Sequence, residues 1–162
     1  MGCEWDLLLC GGHVIDPRNR VDQVADVAIS GERIAAVAAG LEPARAGRVV
    51  DVRGLYVLPG LVDIHVHVFG GYDGWLFPDP HSLPYGVTTV ADAGGAGWRD
   101  LDRFRQTIIQ PARTRVLAFV NIVGRGMGGS WEHEAEEMNP GLAAAIAAAY
   151  PEVVVGIKTA HY

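Results

Sequence analysis

Residues 60–67 read Gly60-Leu61-Val62-Asp63-Ile64-His65-Val66-His67. Apolar, mostly β-branched residues recur through residues 61–68, and this pattern predicts a strand. Because side chains along a strand alternate between its two faces, Asp63, His65 and His67 are expected to share one face. Histidines two residues apart lie about 7 Å apart along a strand. Their imidazoles can therefore converge on one metal ion.

The His-x-His motif is ambiguous when it is taken alone. Two hydrogen-bonded histidines in an ordinary strand would give the same letters, so the motif needs support from its structural context. The rest of the chain supplies that context.

Composition and charge narrow the classes of protein. The 162 residues are 49% hydrophobic and 20% charged, which is typical of a globular domain with a sizeable core. The net charge of −6 and the lack of a basic run argue against a nucleic-acid partner. We find neither an apolar run of roughly 20 residues nor a secretory signal pattern, so no membrane partner is expected. Cys3 and Cys10 lack ligand-like spacing, and a cytoplasmic location is expected.

Residues 1–58 predict a small β-sandwich-like module made of short apolar runs and turns. Residues 25–29 and 33–37 flank Ser30-Gly31-Glu32 and predict a hairpin, because Gly31 can adopt a positive φ. Residues 49–52 and 55–58 predict a second hairpin around Arg53-Gly54. We find no catalytic cluster of polar residues in this module.

Residues 59–162 alternate between strand and helix patterns. Strands are predicted at 61–68, 87–93, 115–122 and 152–159, with helices at 98–110 and 140–150. Such alternation implies parallel strands with right-handed crossovers. The candidates are an open doubly wound sheet and part of a (β/α)8 barrel. The lack of a Gly-x-Gly-x-x-Gly motif after the first strand counts against a dinucleotide fold.

Lys158 is a further candidate site residue, because it lies near the end of the fourth predicted strand. Burial lowers the pKa of a lysine and frees its amine to react. A neutral amine can add carbon dioxide to form a carbamate, which can bridge two metal ions. The alternative is a lysine that extends into solvent from the strand end.

Four stretches together resemble the amidohydrolase superfamily. Val57-Leu58-Pro59-Gly60 and the strand that follows are similar to its first-strand signature, and Tyr85-Gly86-Val87-Thr88-Thr89-Val90-Ala91-Asp92-Ala93-Gly94 is similar to its second strand. Residues 114–122 and Val155-Gly156-Ile157-Lys158 strengthen the match. The combination resembles the N-terminal portion of the amidohydrolase/deacetylase group, which is related to dihydroorotases and hydantoinases.

The resemblance implies a fold, a cofactor and roles for three residues. The fold is a (β/α)8 TIM barrel preceded by a β-sandwich, of which residues 59–162 would supply about four strands. The site would hold two divalent ions, usually zinc, with His65 and His67 on the more buried ion. Lys158, carrying a carbamate, would bridge both ions. Asp63 shares the strand face of the histidines and is either a hydrogen-bond partner of these ligands or a structural polar residue.

The implied activity is hydrolysis of an amide C–N bond or an acyl ester in a small molecule through a metal-bridging hydroxide. The remaining metal ligands and the general-base aspartate are expected beyond residue 162. Asn121 is a candidate substrate contact, and the acidic residues of 132–137 are expected to be solvated. A deaminase is the rival activity within the superfamily. The alternative to an enzyme is a non-catalytic fragment or half-barrel subunit that needs a partner chain or a second copy.

Overall fold

The computed structural model describes residues 2–69 and 75–159. Contacts within the chain divide it into two compact units, Met1–Pro59 and Gly60–Tyr162. This division lies one residue after the boundary that the sequence predicts. In the described part of the chain, no helix is long and apolar enough to cross a membrane.

The first unit is a mixed β-sheet built around its first strand. Its strands are β1 (Trp5–Asp16), β2 (Val21–Ser30), β3 (Arg33–Ala38), β4 (Ala46–Asp51) and β5 (Tyr56–Val57). The sheet order is β3-β2-β1-β4, and β5 also pairs with β1. The predicted first hairpin is confirmed as β2–β3, with Gly31 at φ +58° in its turn.

The predicted second hairpin is wrong. β4 and β5 do not pair with each other in the described ladders, and both instead run parallel to β1, with Val49 opposite Leu8 and Val57 opposite Val14. Within residues 2–59 the strands form one sheet, where a sandwich would need two packed sheets. Small apolar clusters occupy both faces of this sheet, one containing Leu8 and the other Leu9.

The second unit is a four-stranded parallel sheet with helices between its strands. The strands are β6 (Leu61–Val66), β7 (Val87–Gly97), β8 (Arg115–Asn121) and β9 (Val154–Lys158), in the order β6-β7-β8-β9. The helices are α1 (Pro78–Ser82), α2 (Leu101–Phe104) and α3 (Pro140–Ala149). All four predicted strands are therefore present, with ends that differ by a few residues.

Local sequence explains where the longest helix, α3, begins in the described part of the chain. Asn139 caps α3 by accepting a hydrogen bond from the Leu142 N–H at 2.9 Å, and Pro140 occupies the first turn, as predicted. The helix predicted at 98–110 begins three residues later, as α2, and continues as a π-helix over Arg105–Ile109. Leu101 and Phe104 anchor this helix in the core, since both are fully buried.

The strands of the second unit share one core, and their carboxyl ends lie together at one end of the sheet. Val90, Val116, Ala118 and Val154 are buried in the core cluster that also holds Phe104. Because the strands are parallel, the residues that follow β6, β7, β8 and β9 emerge on the same side of the sheet. Parallel barrels carry their chemistry on this side.

Candidate metal centre

His65 and His67 converge at the carboxyl end of β6. His65 lies within the strand, and His67 follows its last residue, Val66. The two ring centroids are 5.7 Å apart, with the ring planes at 81°. His65 is exposed and His67 is half-buried. The predicted approach of the two imidazoles is thus present, and their role as metal ligands stays a prediction.

His67 has the electrostatic character of a neutral ligand. Burial lowers its pKa, and the positive charges of His65 and Lys158 act in the same direction, whereas Asp92 and Glu132 oppose the shift. Its Nδ1 atom is buried and has no hydrogen-bond partner among residues 2–69 and 75–159. A neutral imidazole with a nitrogen lacking a protein partner is suited to bind a metal ion.

Trp75 lies beside His67. The two ring centroids are 5.2 Å apart and the planes are tilted by 35°. The indole therefore covers part of the imidazole and limits the access of water to it.

Asp63 uses its carboxylate locally. Its Oδ1 atom accepts a hydrogen bond from the His65 backbone N–H at 3.0 Å. This bond supports the strand backbone rather than an imidazole ring, so the geometry favours the structural alternative for Asp63. A role beside a metal ion stays a prediction.

Lys158 ends β9 with its aliphatic stem against Gly94. A Cβ atom placed on Gly94 would lie 2.4 Å from Cγ and 2.7 Å from Cβ of Lys158. The Lys158 carbonyl accepts a hydrogen bond from the Ile122 N–H at 2.9 Å, which fixes the backbone at this strand end. The side chain is partly buried. Lys158 therefore lies at the same carboxyl-terminal end of the sheet as the histidine pair, and its charge acts on His67.

Asp92 is a buried carboxylate that the sequence interpretation did not single out. It is 0% exposed on β7. Its Oδ2 atom accepts from the backbone N–H groups of Val68 at 2.7 Å and Phe69 at 3.2 Å, and its Oδ1 atom accepts from Gly95 at 2.6 Å. Burial raises the pKa of Asp92, against the opposing effect of these N–H groups. A single carboxylate inside an apolar strand is the signal that could have identified it.

Asn121 and Glu132 lie in environments that differ from those predicted from the sequence. Asn121 is 1% exposed, donates to the Gly94 carbonyl at 3.1 Å and accepts from Val123 N–H at 3.0 Å. Its buried amide therefore joins the end of β7 to the backbone that follows β8, and contact with a substrate stays a prediction. Glu132 is only 6% exposed and accepts from the Gly128 N–H, so the prediction that it is solvated is wrong.

The described residues supply only part of the ligand set that a metal site needs. Within residues 2–69 and 75–159, no group of three His, Cys, Asp or Glu side chains could hold a metal ion. The described donors are two imidazoles and the amine of Lys158, whereas a catalytic zinc ion usually takes three protein ligands and keeps one open position. The unpartnered Nδ1 of His67 fits a bound cation.

Comparisons with known proteins place the chain among related enzymes. No family model matches it. It is 32% identical over 160 residues to a deacetylase from Enterococcus faecalis, covering 96% of this chain and 41% of that protein. It is 39% identical over 104 residues to a deacetylase from Agrobacterium fabrum, covering 63% of this chain and 26% of that protein. The chain thus matches less than half the length of these relatives.

Solved structures agree with this placement. An adenine deaminase superposes with a TM-score of 0.80 at 31% identity, covering 95% of this chain and 41% of the other. A dihydroorotase gives a TM-score of 0.79 at 30% identity, covering 93% and 41%. These neighbours confirm the predicted N-terminal part of a (β/α)8 barrel, and the module before it is one mixed β-sheet where the sequence predicted a small β-sandwich. Together with the deacetylase relatives, they show that this chain belongs to the amidohydrolase superfamily.

Proposed function

We propose that this protein is a metal-dependent hydrolase that cleaves an amide C–N bond or an acyl ester, in the manner of a deacetylase. The observation that carries the proposal is the buried, unpartnered Nδ1 of His67 beside the ring of His65. Lys158 lies at the same carboxyl-terminal end of the sheet, where its charge acts on His67. The names of the relatives from Enterococcus faecalis and Agrobacterium fabrum support the deacetylase assignment.

The proposed cofactor is a divalent ion, with zinc as the first candidate and two ions in the complete site. His65 and His67 would hold one ion through imidazole nitrogens, and Lys158 would bind as a carbamate. When bound, zinc supplies Lewis acidity that polarises a carbonyl and lowers the pKa of water to about 7.

The residues of the chain prepare these ligands. Burial favours the neutral form of His67 in which a ring nitrogen has a free lone pair. The stem of Lys158 is held against Gly94, which limits the positions that its amine can reach. Carbamate formation joins the neutral amine nitrogen to the carbon of carbon dioxide, and the nitrogen releases one proton to solvent.

Lys158 offers a clean test because it is the only lysine in the 162-residue sequence. Protein equilibrated with ¹³C-labelled bicarbonate and zinc should show one side-chain carbamate resonance. The Lys158→Arg variant should lack it, since arginine stays protonated. Zinc should copurify with the wild-type protein, and chelation should abolish acetate release from N-acetylated and O-acetylated substrates. Purified protein without zinc affinity or carbamate would contradict the proposal.

A deaminase is the competing activity, because one structural neighbour is an adenine deaminase. Ammonia release from an aminopurine, measured beside acetate release from the acetylated substrates, separates the two. Ammonia release without acetate release would replace the deacetylase assignment.

A half-barrel subunit is the second candidate function. In the described part of the chain, β6 and β9 each pair with one neighbouring strand. Ile64 on β6 is 74% exposed and Ile157 on β9 is 45% exposed, so both outer strands present apolar side chains to solvent. Exposed strand edges favour pairing with another chain. Size-exclusion chromatography with light scattering tests this candidate, and a monomeric, active 162-residue chain would exclude it.

A further inference from the structure

The carboxylate of Asp92 replaces a missing part of the ladder between β6 and β7. Regular pairing of these strands ends with Val66 opposite Asp92, after an irregular register. Beyond that point, Asp92 Oδ2 accepts the N–H groups of Val68 and Phe69, which immediately follow His67. The backbone that leaves His67 is therefore held by a side chain instead of by the neighbouring strand.

The other oxygen of Asp92 holds the glycine-rich carboxyl-terminal stretch of β7, where the register with β8 is irregular. Oδ1 accepts the Gly95 N–H at 2.6 Å. The neighbouring Gly94 contacts the stem of Lys158, and its carbonyl accepts from the Asn121 amide. One buried carboxylate thus links the backbone after His67 to the end of β7, which contacts Lys158.

Trp75 provides a further connection to the same end of β7. A Cβ atom on Gly95 would lie 2.8 Å from the Trp75 ring and 2.8 Å from Asp92 Oδ1. Trp75 in turn packs beside His67, with ring centroids 5.2 Å apart. Gly95 therefore contacts both Asp92, which holds the backbone after His67, and Trp75, which packs beside the ring of His67.

We propose that Asp92 is a positioning residue that sets the placement of His67 relative to Lys158 through these three backbone hydrogen bonds. The part of this inference that concerns metal affinity rests on the proposed function. Asp92 is not itself a ligand or a catalytic residue in this inference, because it is fully buried and both oxygens are occupied by N–H groups.

A carboxylate is required because two acceptor oxygens serve three donors. Asparagine has nearly the same shape but only one acceptor oxygen, so Asp92→Asn must leave one side of the link without its acceptor. Loss of a residue that orients a metal ligand through hydrogen bonds typically weakens metal affinity about 10–100-fold.

Asp26 offers a matched control in the other unit. It is 9% exposed, and its two oxygens accept the N–H groups of Gly11 at 2.7 Å and Leu41 at 2.9 Å. Asp26→Asn therefore removes one acceptor from a similarly buried carboxylate without touching the histidine pair. Urea titration first establishes that both variants are folded.

Two measurements on the 162-residue chain then test the inference. Zinc affinity, from competition with a chromophoric chelator, should fall about 10–100-fold in Asp92→Asn and stay unchanged in Asp26→Asn. Without metal, the ¹H–¹⁵N imidazole signals of His67 should shift in Asp92→Asn and keep their positions in Asp26→Asn.

The outcomes separate this inference from the proposed function. Wild-type chain without zinc affinity would contradict the proposed function, while the metal-free imidazole spectrum would still decide the role of Asp92. Unchanged His67 signals, or zinc affinity equal to that of a zinc-binding wild type, would overturn the positioning role. If Asp92→Asn does not fold, amide exchange in the wild type decides, since fast exchange at Val68, Phe69 and Gly95 would overturn the link.

Discussion

Replacing Gly94 with alanine should separate backbone strain from displacement of Lys158. Gly94 has φ +89°, and Gly86, immediately before β7, has φ +76°. A side chain in this left-handed region costs about 1–2 kcal/mol at either position. Gly86→Ala is therefore the matched control for strain, because nothing lies within 4 Å of a Cβ atom placed there.

The additional effect at Gly94 follows from its contact with Lys158. An alanine Cβ would lie 2.4 Å from Cγ and 2.7 Å from Cβ of Lys158, well inside van der Waals contact. The lysine Cβ moves only with the backbone of β9, so the end of β9 or the end of β7 must shift. Overpacking of this kind costs about 1–3 kcal/mol, which adds to the backbone strain.

Urea unfolding and zinc titration together check this prediction. Gly86→Ala should lower the free energy of unfolding by about 1–2 kcal/mol and leave zinc affinity unchanged. Gly94→Ala should lose a further 1–3 kcal/mol or so and bind zinc more weakly, because the lysine stem has moved. Equal stabilities and equal zinc affinities in the two variants would refute the reasoning.

Three further predictions concern the pH dependence, the helix cap and the core. Backbone hydrogen bonds from Arg113 and Thr114 lower the pKa of Asp79 below 3.8, so its stabilising effect is present above pH 3.8 and is lost as the pH falls through the folded-state pKa. Acid titration followed by circular dichroism should show that Asp79→Asn loses less stability on acidification, and identical curves would contradict this. Asn139→Ala removes the cap of α3 and should lower the unfolding free energy by about 1 kcal/mol in urea, whereas no change would show that the cap contributes little. Phe104→Ala at a fully buried site should cost about 3–5 kcal/mol by the same method, and a loss below 1 kcal/mol or so would mean that the core collapses around it.

The sequence predicts the parts of the fold that depend on local patterns. Alternating apolar residues locate the four parallel strands, and the Asn139-Pro140 pair locates the start of α3, because these signals involve neighbours in the chain. The second hairpin fails because the partner of Val49 is Leu8, and nothing near Val49 indicates such a distant pairing.

The candidate site is predictable to a similar extent. The His-x-His spacing correctly brings the rings of His65 and His67 together, since strand geometry alone sets their separation. The roles of Asp92 and Glu132 depend on which backbone N–H groups the fold brings to them, and two of the three groups at Asp92, those of Val68 and Phe69, belong to another segment. Periodicity carries no information about such partners.

The position of β1 in its sheet has a consequence for the order of events during protein synthesis. β1 pairs with β2 on one side, but on the other side its partners are Ala46–Asp51 and Tyr56–Val57. A ribosome adding about 5–20 residues per second delivers those partners only several seconds after β1 has emerged. During that interval one edge of the nascent hairpin stays available to chaperones and to neighbouring nascent chains. Synonymous codon changes that slow elongation between β2 and β4 should therefore change the yield of folded protein without changing its final stability.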